Sequence, residues 1–339
     1  MPNELDPTTT DELRTPALVV ESSIFEANCA AMDAVLPGNK LRPHVKAFKS
    51  TAMARRLADG GHTGFCAATP LEIEGMARAG LGNDLLLANE SLDVARLGAL
   101  ADAANITIAV DSDTTLDAAI AGGIRSVLID VEIGLPRCGC SVDDAPLLAD
   151  KARRAGLDVR GVMGYEGHLM MVHDRSERVD KVGAATSILL EAADRVGGEI
   201  VSGGGTGTFD SNTWCTEIQA GSYSLMDTQY LELDLPFECA LSVLATVISV
   251  SPKGWIVVDC GLKSLGMDHG KPSWAGGKVF FCSDEHTTLS PTELTDWKVG
   301  DRTRLLPAHV DPTVAKHKQM WVVNGDTITD KWDIDLRFW

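Results

Sequence analysis

As far as Pro236, short β-rich apolar runs alternate with helix-length amphipathic stretches. After an opening strand at Thr15–Val20 and a helix starting near Ser22, the runs fall at Leu41–Lys46, Gly64–Ala67, Asp84–Ala88, Ile106–Val110, Ser126–Val131, Arg160–Tyr165, Ile200–Gly203 and Thr216–Gly221. Between them the periodicity predicts helices such as Pro70–Ala79, with proline at its start and Gly80 past its end, Ala145–Ala155 and Arg175–Val196. Repeated βα units predict a parallel sheet, and eight of them is the count that closes a (β/α)8 TIM-type barrel. A doubly wound open sheet is the alternative. The barrel is preferred because no GxGxxG follows the first strand.

Past Pro236 the helical periodicity fades. Strand-like runs at Ala240–Ser249, Trp255–Asp259, Lys278–Phe281, Arg304–Leu306 and Met320–Val323 are separated by turn signals at Pro252-Lys253-Gly254 and Asn324-Gly325-Asp326. The expected organisation is an α/β barrel over residues 22–235 and an all-β C-terminal domain formed by 236–339 together with 1–21. The N-terminal strand is available to pair with that domain.

Composition narrows the partners. The chain has 339 residues, 45% hydrophobic, with 30 Lys+Arg against 48 Asp+Glu for a net charge of -18. That excludes wholesale disorder and disfavours a nucleic-acid backbone or an anionic membrane as partner. No apolar run approaches the ~20 residues of a spanning helix. Met1–Thr10 shows no basic stretch followed by an apolar core, so no signal peptide is read. Eight cysteines include no CxxC pair and are read as free thiols. The expected setting is the cytoplasm, and the expected partner a small molecule.

In a βα barrel the reactive groups gather where strands end. The first run ends Arg42-Pro43-His44-Val45-Lys46. A partly desolvated lysine there is a Schiff-base candidate, and a surface lysine is the plainer alternative. Arg137, after the fifth run, suits a carboxylate or phenolic oxygen, or a structural ion pair. Tyr165-Glu166-Gly167-His168 ends the sixth in a chain with only three tyrosines; a core tyrosine and a surface histidine are equally consistent with it. Gly203-Gly204-Gly205-Thr206-Gly207 after the seventh and Gly221-Ser222 after the eighth make a phosphate cradle where barrels often hold one. His309 and Asp311, two apart, would share one side of an extended segment and could share a divalent metal, or simply hydrogen-bond.

Together these segments resemble the D-threonine aldolase and D-serine dehydratase family, fold-type III pyridoxal-phosphate (PLP) enzymes related in architecture to alanine racemase. The matching motifs are Arg42-Pro43-His44-Val45-Lys46, Gly134-x-x-Arg137-Cys138-Gly139, the glycine run at 203–207, Ala220-Gly221-Ser222-Tyr223-x-x-Met226-Asp227, Asp259-x-Gly261-x-Lys263 and Pro307-x-His309-Val310-Asp311-Pro312-Thr313. The resemblance implies that Lys46 carries PLP as a Schiff base. It implies that Tyr165 faces the ring nitrogen, that Arg137 lies near the phenolic oxygen, and that Thr206, Gly207, Gly221 and Ser222 hold the phosphate. His309 and Asp311 would bind a metal, and His168 or a metal-bound hydroxide would act as base. Family dehydratases generally present His-x-Cys at the metal pair and aldolases His-x-Asp. Asp311 therefore favours an aldolase using Mn²⁺, Mg²⁺ or Co²⁺ rather than Zn²⁺. Many members have histidine where this chain has Phe48.

The expected reaction is cleavage of D-threonine and related D-3-hydroxy-amino acids to glycine and an aldehyde, by a homodimer. The runner-up is a metal-dependent dehydratase of D-serine or D-threo-3-hydroxyaspartate. A non-catalytic PLP carrier and a metal hydrolase on the same barrel are further readings. Alanine racemase is disfavoured because its second base is a β-domain tyrosine, whereas Tyr165, Tyr223 and Tyr230 all precede that domain.

Overall fold

The computed structural model describes residues 7–293 and 296–338. Part of the stretch read as lacking a signal peptide therefore lies outside the described residues. The chain divides into two compact units: Met32–Gly221 with the tail from Leu336, and the chain up to Ala31 with Ser222–Asp335.

The opening strand, β1 (Ala17–Glu21), belongs to the second of these. The first carries β2 (Gly64–Ala67), β3 (Asp84–Leu87), β4 (Ile106–Val110), β5 (Ser126–Asp130), β6 (Asp158–Met163), β7 (Ile200–Gly203) and β8 (Glu217–Ile218), hydrogen-bonded in chain order and all parallel. Helices between the strands explain why β2 and β4 are buried along their whole length: a parallel sheet is covered on both faces. The helix at Pro70–Arg78 starts where the sequence puts it, with Pro70 in its first turn and a capping box between Thr69 and Glu72. Six adjacent strands each contribute one residue to a shared cluster of Cys66, Leu86, Ala109, Leu128, Met163 and Ile200.

Seven regular strands are present, where eight were expected. The Leu41–Lys46 run forms no ladder. Leu41 and His44 make isolated parallel bridges to Ile218 and Cys66, and the chain then enters a 3-10 turn at Val45–Ala47. Pro43 is the physical reason, since it has no N–H to donate; its carbonyl alone accepts, from the Cys66 amide at 2.9 Å. Arg42 enters a buried ion network instead. It meets Glu217 and Asp84, both at 2.7 Å, and Asp84 meets Arg160 at 2.7 Å, so β3, β6 and β8 are tied at their starts. These charges are tolerated inside because each is paired.

The second unit is an eight-stranded sheet. It contains β1, β9 (Leu241–Ser251), β10 (Trp255–Val258), β11 (Gly277–Cys282), β12 (Thr287–Pro291), β13 (Arg302–Leu305), β14 (Gln319–Asn324) and β15 (Thr327–Asp333). Its order is β11-β12-β10-β9-β1-β14-β15, with β13 also on β9. The N-terminal strand sits centrally, antiparallel to β9 and parallel to β14. Leu13, Ala17, Val19, Leu244 and Val323 form the adjoining core. Neither β12 nor β15 was read from the sequence. In β15 only Trp332 is buried, so no apolar alternation marks it.

Candidate active site

In the parallel-sheet unit the residues singled out at strand ends converge on Tyr165. Lys46 Nζ lies 5.8 Å, and Arg137 Cζ 5.3 Å, from the centre of its ring. The turn carrying Lys46 is held rigidly: Val45 and Ala47 are fully buried, and the Lys46 amide donates to His44 Nδ1 at 3.4 Å. Gly221 allows this seat. A side-chain Cβ there would stand 2.3 Å from the His44 carbonyl oxygen, far inside contact distance. Burial, with Lys46, Lys49 and Arg137 around it, holds the His44 imidazole well below its usual range, so His44 is neutral. Lys49, ion-paired to buried Glu72, completes a basic cluster.

The glycine run behaves as a shaped loop. Glu166 is fully buried and accepts three hydrogen bonds, from the Gly204 amide at 3.0 Å, Thr208 Oγ1 at 3.0 Å and Asn212 Nδ2 at 2.9 Å. A Cβ at Gly207 would meet the Met170 carbonyl oxygen at 2.2 Å, and Gly204 has a φ of +76°, so glycine is required at both. Thr206 and Gly207 lie in the 3-10 turn Thr206–Thr208 that follows. His168 is exposed, its ring against the backbone of Gly134, where a Cβ would lie 2.9 Å from it.

Sequence reasoning passed over Glu166, although it lies inside the Tyr165–His168 run. It also missed an acidic pair at the ends of β3 and β5. Burial first, then the hydrogen-bonded Glu90 carboxyl beside it, push Asp130 well above the ordinary carboxylate range. Cys138 next to them is pushed up to about 11, by burial and by Glu90. The available signal was an acidic residue closing β5, Asp130, and another just past the end of β3, Glu90.

In the mixed-sheet unit, His309 Nε2 lies 3.8 Å from Asp311 Oδ2. The pair is not on an extended segment as expected. His309 is extended, but Asp311 lies in the first turn of a short helix, Val310–Ala315. Buried Asp227 accepts from the Val310 amide at 2.9 Å and fastens this turn; burial raises its own carboxyl. Ser222, opening the 3-10 turn Ser222–Ser224, places its hydroxyl 3.5 Å from Asp311 Oδ2. Asp268 and His269, not singled out by any motif, lie beside His309. The three form the one group of three or more metal-type ligands close enough to share an ion among the described residues.

Residues 20–229 match the model of the alanine racemase N-terminal domain, and residues 240–323 that of the "Putative serine dehydratase domain". D-threonine aldolase of an Arthrobacter species is 35% identical across 95% of this chain and 92% of that protein. The chain belongs to the D-threonine aldolase and D-serine dehydratase family. A second relative is 3-hydroxy-D-aspartate aldolase of Paracoccus denitrificans (strain Pd 1222), 31% identical over 96% of this chain and 92% of that one. Among solved structures, D-threonine aldolase from Filomicrobium marinum superposes with a TM-score of 0.90 and 32% identity, covering 97% of each chain. The family uses fold-type III PLP chemistry.

The donor set of this member fits that cofactor. The Lys46 amine and the Arg137 guanidinium lie 5.8 and 5.3 Å from the centre of the Tyr165 ring, beside a neutral imidazole, and the glycine loop adjoins that ring at Gly205, where a Cβ would stand 3.6 Å from it. An imidazole nitrogen and a carboxylate oxygen 3.8 Å apart fit a single divalent ion, since bonds of ~2.1 Å put two ligands of one ion ~3–4 Å apart. No helix among the described residues is long and apolar enough to cross a membrane.

Proposed function

We propose that this protein is a PLP- and divalent-metal-dependent carbon–carbon lyase that cleaves D-threonine and related D-3-hydroxy-amino acids to glycine and an aldehyde. In this reading Lys46 holds the cofactor aldehyde, Tyr165 its ring nitrogen and Arg137 its phenolic oxygen. Thr206, Gly207, Gly221 and Ser222 hold its phosphate. His309 and Asp311 hold the metal, with Mn²⁺, Mg²⁺ or Co²⁺ better suited than Zn²⁺ to an imidazole–carboxylate pair. When bound, PLP supplies an electron sink at Cα and the metal supplies Lewis acidity toward the β-hydroxyl.

The remaining work falls to the chain's own groups. Arg137 and Lys46 set positive charge around Tyr165, which favours an anionic ligand there. His168 is solvent-exposed, with its ring against the backbone of Gly134, and it is the candidate to take the hydroxyl proton. The domain reading that goes with this is a PLP-binding barrel over 22–235 and a metal-carrying β domain of 1–21 with 236–339. A cytoplasmic homodimer is part of the same proposal; Phe280 and Phe281 on β11, 71% and 55% exposed, support a partner surface.

The observation that carries the choice of aldolase is Asp311: the second metal-binding group beside His309 Nε2 is a carboxylate rather than a thiolate. The relatives named as aldolases agree with it. The serine dehydratase match over 240–323 keeps one competing reading alive, a D-hydroxy-amino-acid dehydratase. Product analysis separates them. Incubation with D-threonine and Mn²⁺ should give glycine and acetaldehyde in equal amounts; ammonia and a keto acid instead would establish the dehydratase.

A further inference from the structure

Resting on the reading that His309 and Asp311 hold a metal, we propose that Asp268 is the positioning residue of that centre: by accepting the Nδ1–H of His309, it leaves Nε2 bare and turned toward Asp311. Asp268 Oδ2 lies 2.6 Å from His309 Nδ1, and Asp311 Oδ2 lies 3.8 Å from Nε2 on the other side of the ring. An exposed carboxylate at neutral pH only accepts, so the proton of this hydrogen bond belongs to Nδ1, and Nε2 is the nitrogen left to offer its lone pair to an ion.

The alternative is that Asp268, His269 and His309 themselves cage the ion through Nδ1, since their ligand atoms all lie within 4.8 Å of one another. The distances decide against it. With bonds of ~2.1 Å, two ligand atoms only 2.6 Å apart would subtend an angle of roughly 75° at the ion, well below the tetrahedral or octahedral values. A separation of 2.6 Å is that of a charge-assisted hydrogen bond.

The surroundings hold the ring as a positioning role requires. His269 stacks on His309 with centroids 3.8 Å apart and planes within 10°. The turn bearing Asp268 and His269 is tied to the His309 segment by the Gly266–His309 bridge. Gly266 N donates to Thr313 Oγ1 at 2.9 Å, and that hydroxyl donates to the His309 carbonyl at 2.7 Å. A partner behind a metal-binding histidine fixes its tautomer and orientation, and its loss typically weakens metal affinity 10–100-fold.

The test uses the PLP-loaded full chain and Mn²⁺ alone, with free Mn²⁺ measured by electron paramagnetic resonance. The imidazole tautomer of His309 is read in parallel from nitrogen NMR. Asp268→Ala should weaken Mn²⁺ binding 10–100-fold and remove the Nδ1–H signature. Asp268→Asn, whose amide oxygen still accepts, should restore both to within a few-fold of the parent. Two results overturn the proposal. One is Asp268→Ala with unchanged affinity and tautomer; the other is Asp268→Asn as damaging as Asp311→Asn, which would make Asp268 a ligand. Absence of Mn²⁺ binding by the unmodified chain, with the Nδ1–H tautomer intact, would sink the metal reading itself and is told apart from both by that tautomer. Asp268 is 55% exposed, so its variants should fold.

Discussion

Glu166→Gln isolates the residue that shapes the glycine loop, with almost no change of volume. One carboxylate oxygen of Glu166 accepts from Thr208 and Asn212, and the other from the Gly204 amide. Glutamine can keep its carbonyl oxygen toward the first two donors. Its NH₂ must then face the Gly204 N–H, donor against donor, in a site with no solvent access. One hydrogen bond to a charged group is worth ~1.5–3 kcal/mol, and a buried donor left unmatched costs a further ~1–3 kcal/mol. Relief from burying the charge offsets part of this. The net expectation is a loss of ~2–4 kcal/mol in unfolding free energy. PLP affinity should fall at least tenfold, because Thr206 and Gly207 lie on the loop that Glu166 holds. Urea denaturation of the apo protein gives the first quantity and a PLP absorbance titration the second. Glu177→Gln, at an exposed helical pair with Lys181, serves as control and should change neither. An unchanged urea midpoint together with PLP affinity within twofold of the parent would refute the reasoning.

The remaining expectations concern the lysine turn, pH and metal. Gly221→Val should force the Val45–Ala47 turn away from the strand end, costing ~1–3 kcal/mol and reducing PLP occupancy; an occupancy equal to the parent would contradict the close approach. His44 is held neutral below its ordinary value of 6.5, as is His317, so the unfolded chain binds more protons than the folded one once the pH drops under 6.5. Stability is therefore full above that pH and declines below it, by up to ~1.4 kcal/mol per pH unit per group. His44→Asn, which retains an acceptor for the Lys46 amide, should flatten part of that decline in urea melts at pH 7.5, 6.0 and 5.0 (roughly one group's share). Exhaustive EDTA treatment should stop turnover of D-threonine while PLP stays bound; full activity with metal absence confirmed by elemental analysis would remove the metal from the account.

The sequence was legible where local chemistry and pattern agreed. Helix starts at Pro70 and Arg175 carry their caps in plain view, and the parallel strands read as unbroken apolar runs because both faces are covered. Leu41–Lys46 misled because an apolar run with β character contains Pro43, whose missing N–H leaves two bridges in place of a ladder. Among the candidate site residues, Lys46, Arg137 and Tyr165 were each matched by a plainer reading when taken singly, and only their combination with the other motifs of the family resemblance set them apart. Glu166 and Asp268 carry no such motif, since each meets its partner only in the fold: Glu166 the glycine loop, and Asp268 the His309 ring across 41 residues of chain. Such partners are set by tertiary approach, and no spacing rule in a single sequence encodes them.

Borohydride reduction of the PLP-loaded protein, followed by proteolysis and peptide mass mapping, tests the central assignment directly. The account predicts the phosphopyridoxyl mass on the peptide that carries Lys46 and on no other. A tag on Lys49 or any other lysine, or no tag at all, would contradict it.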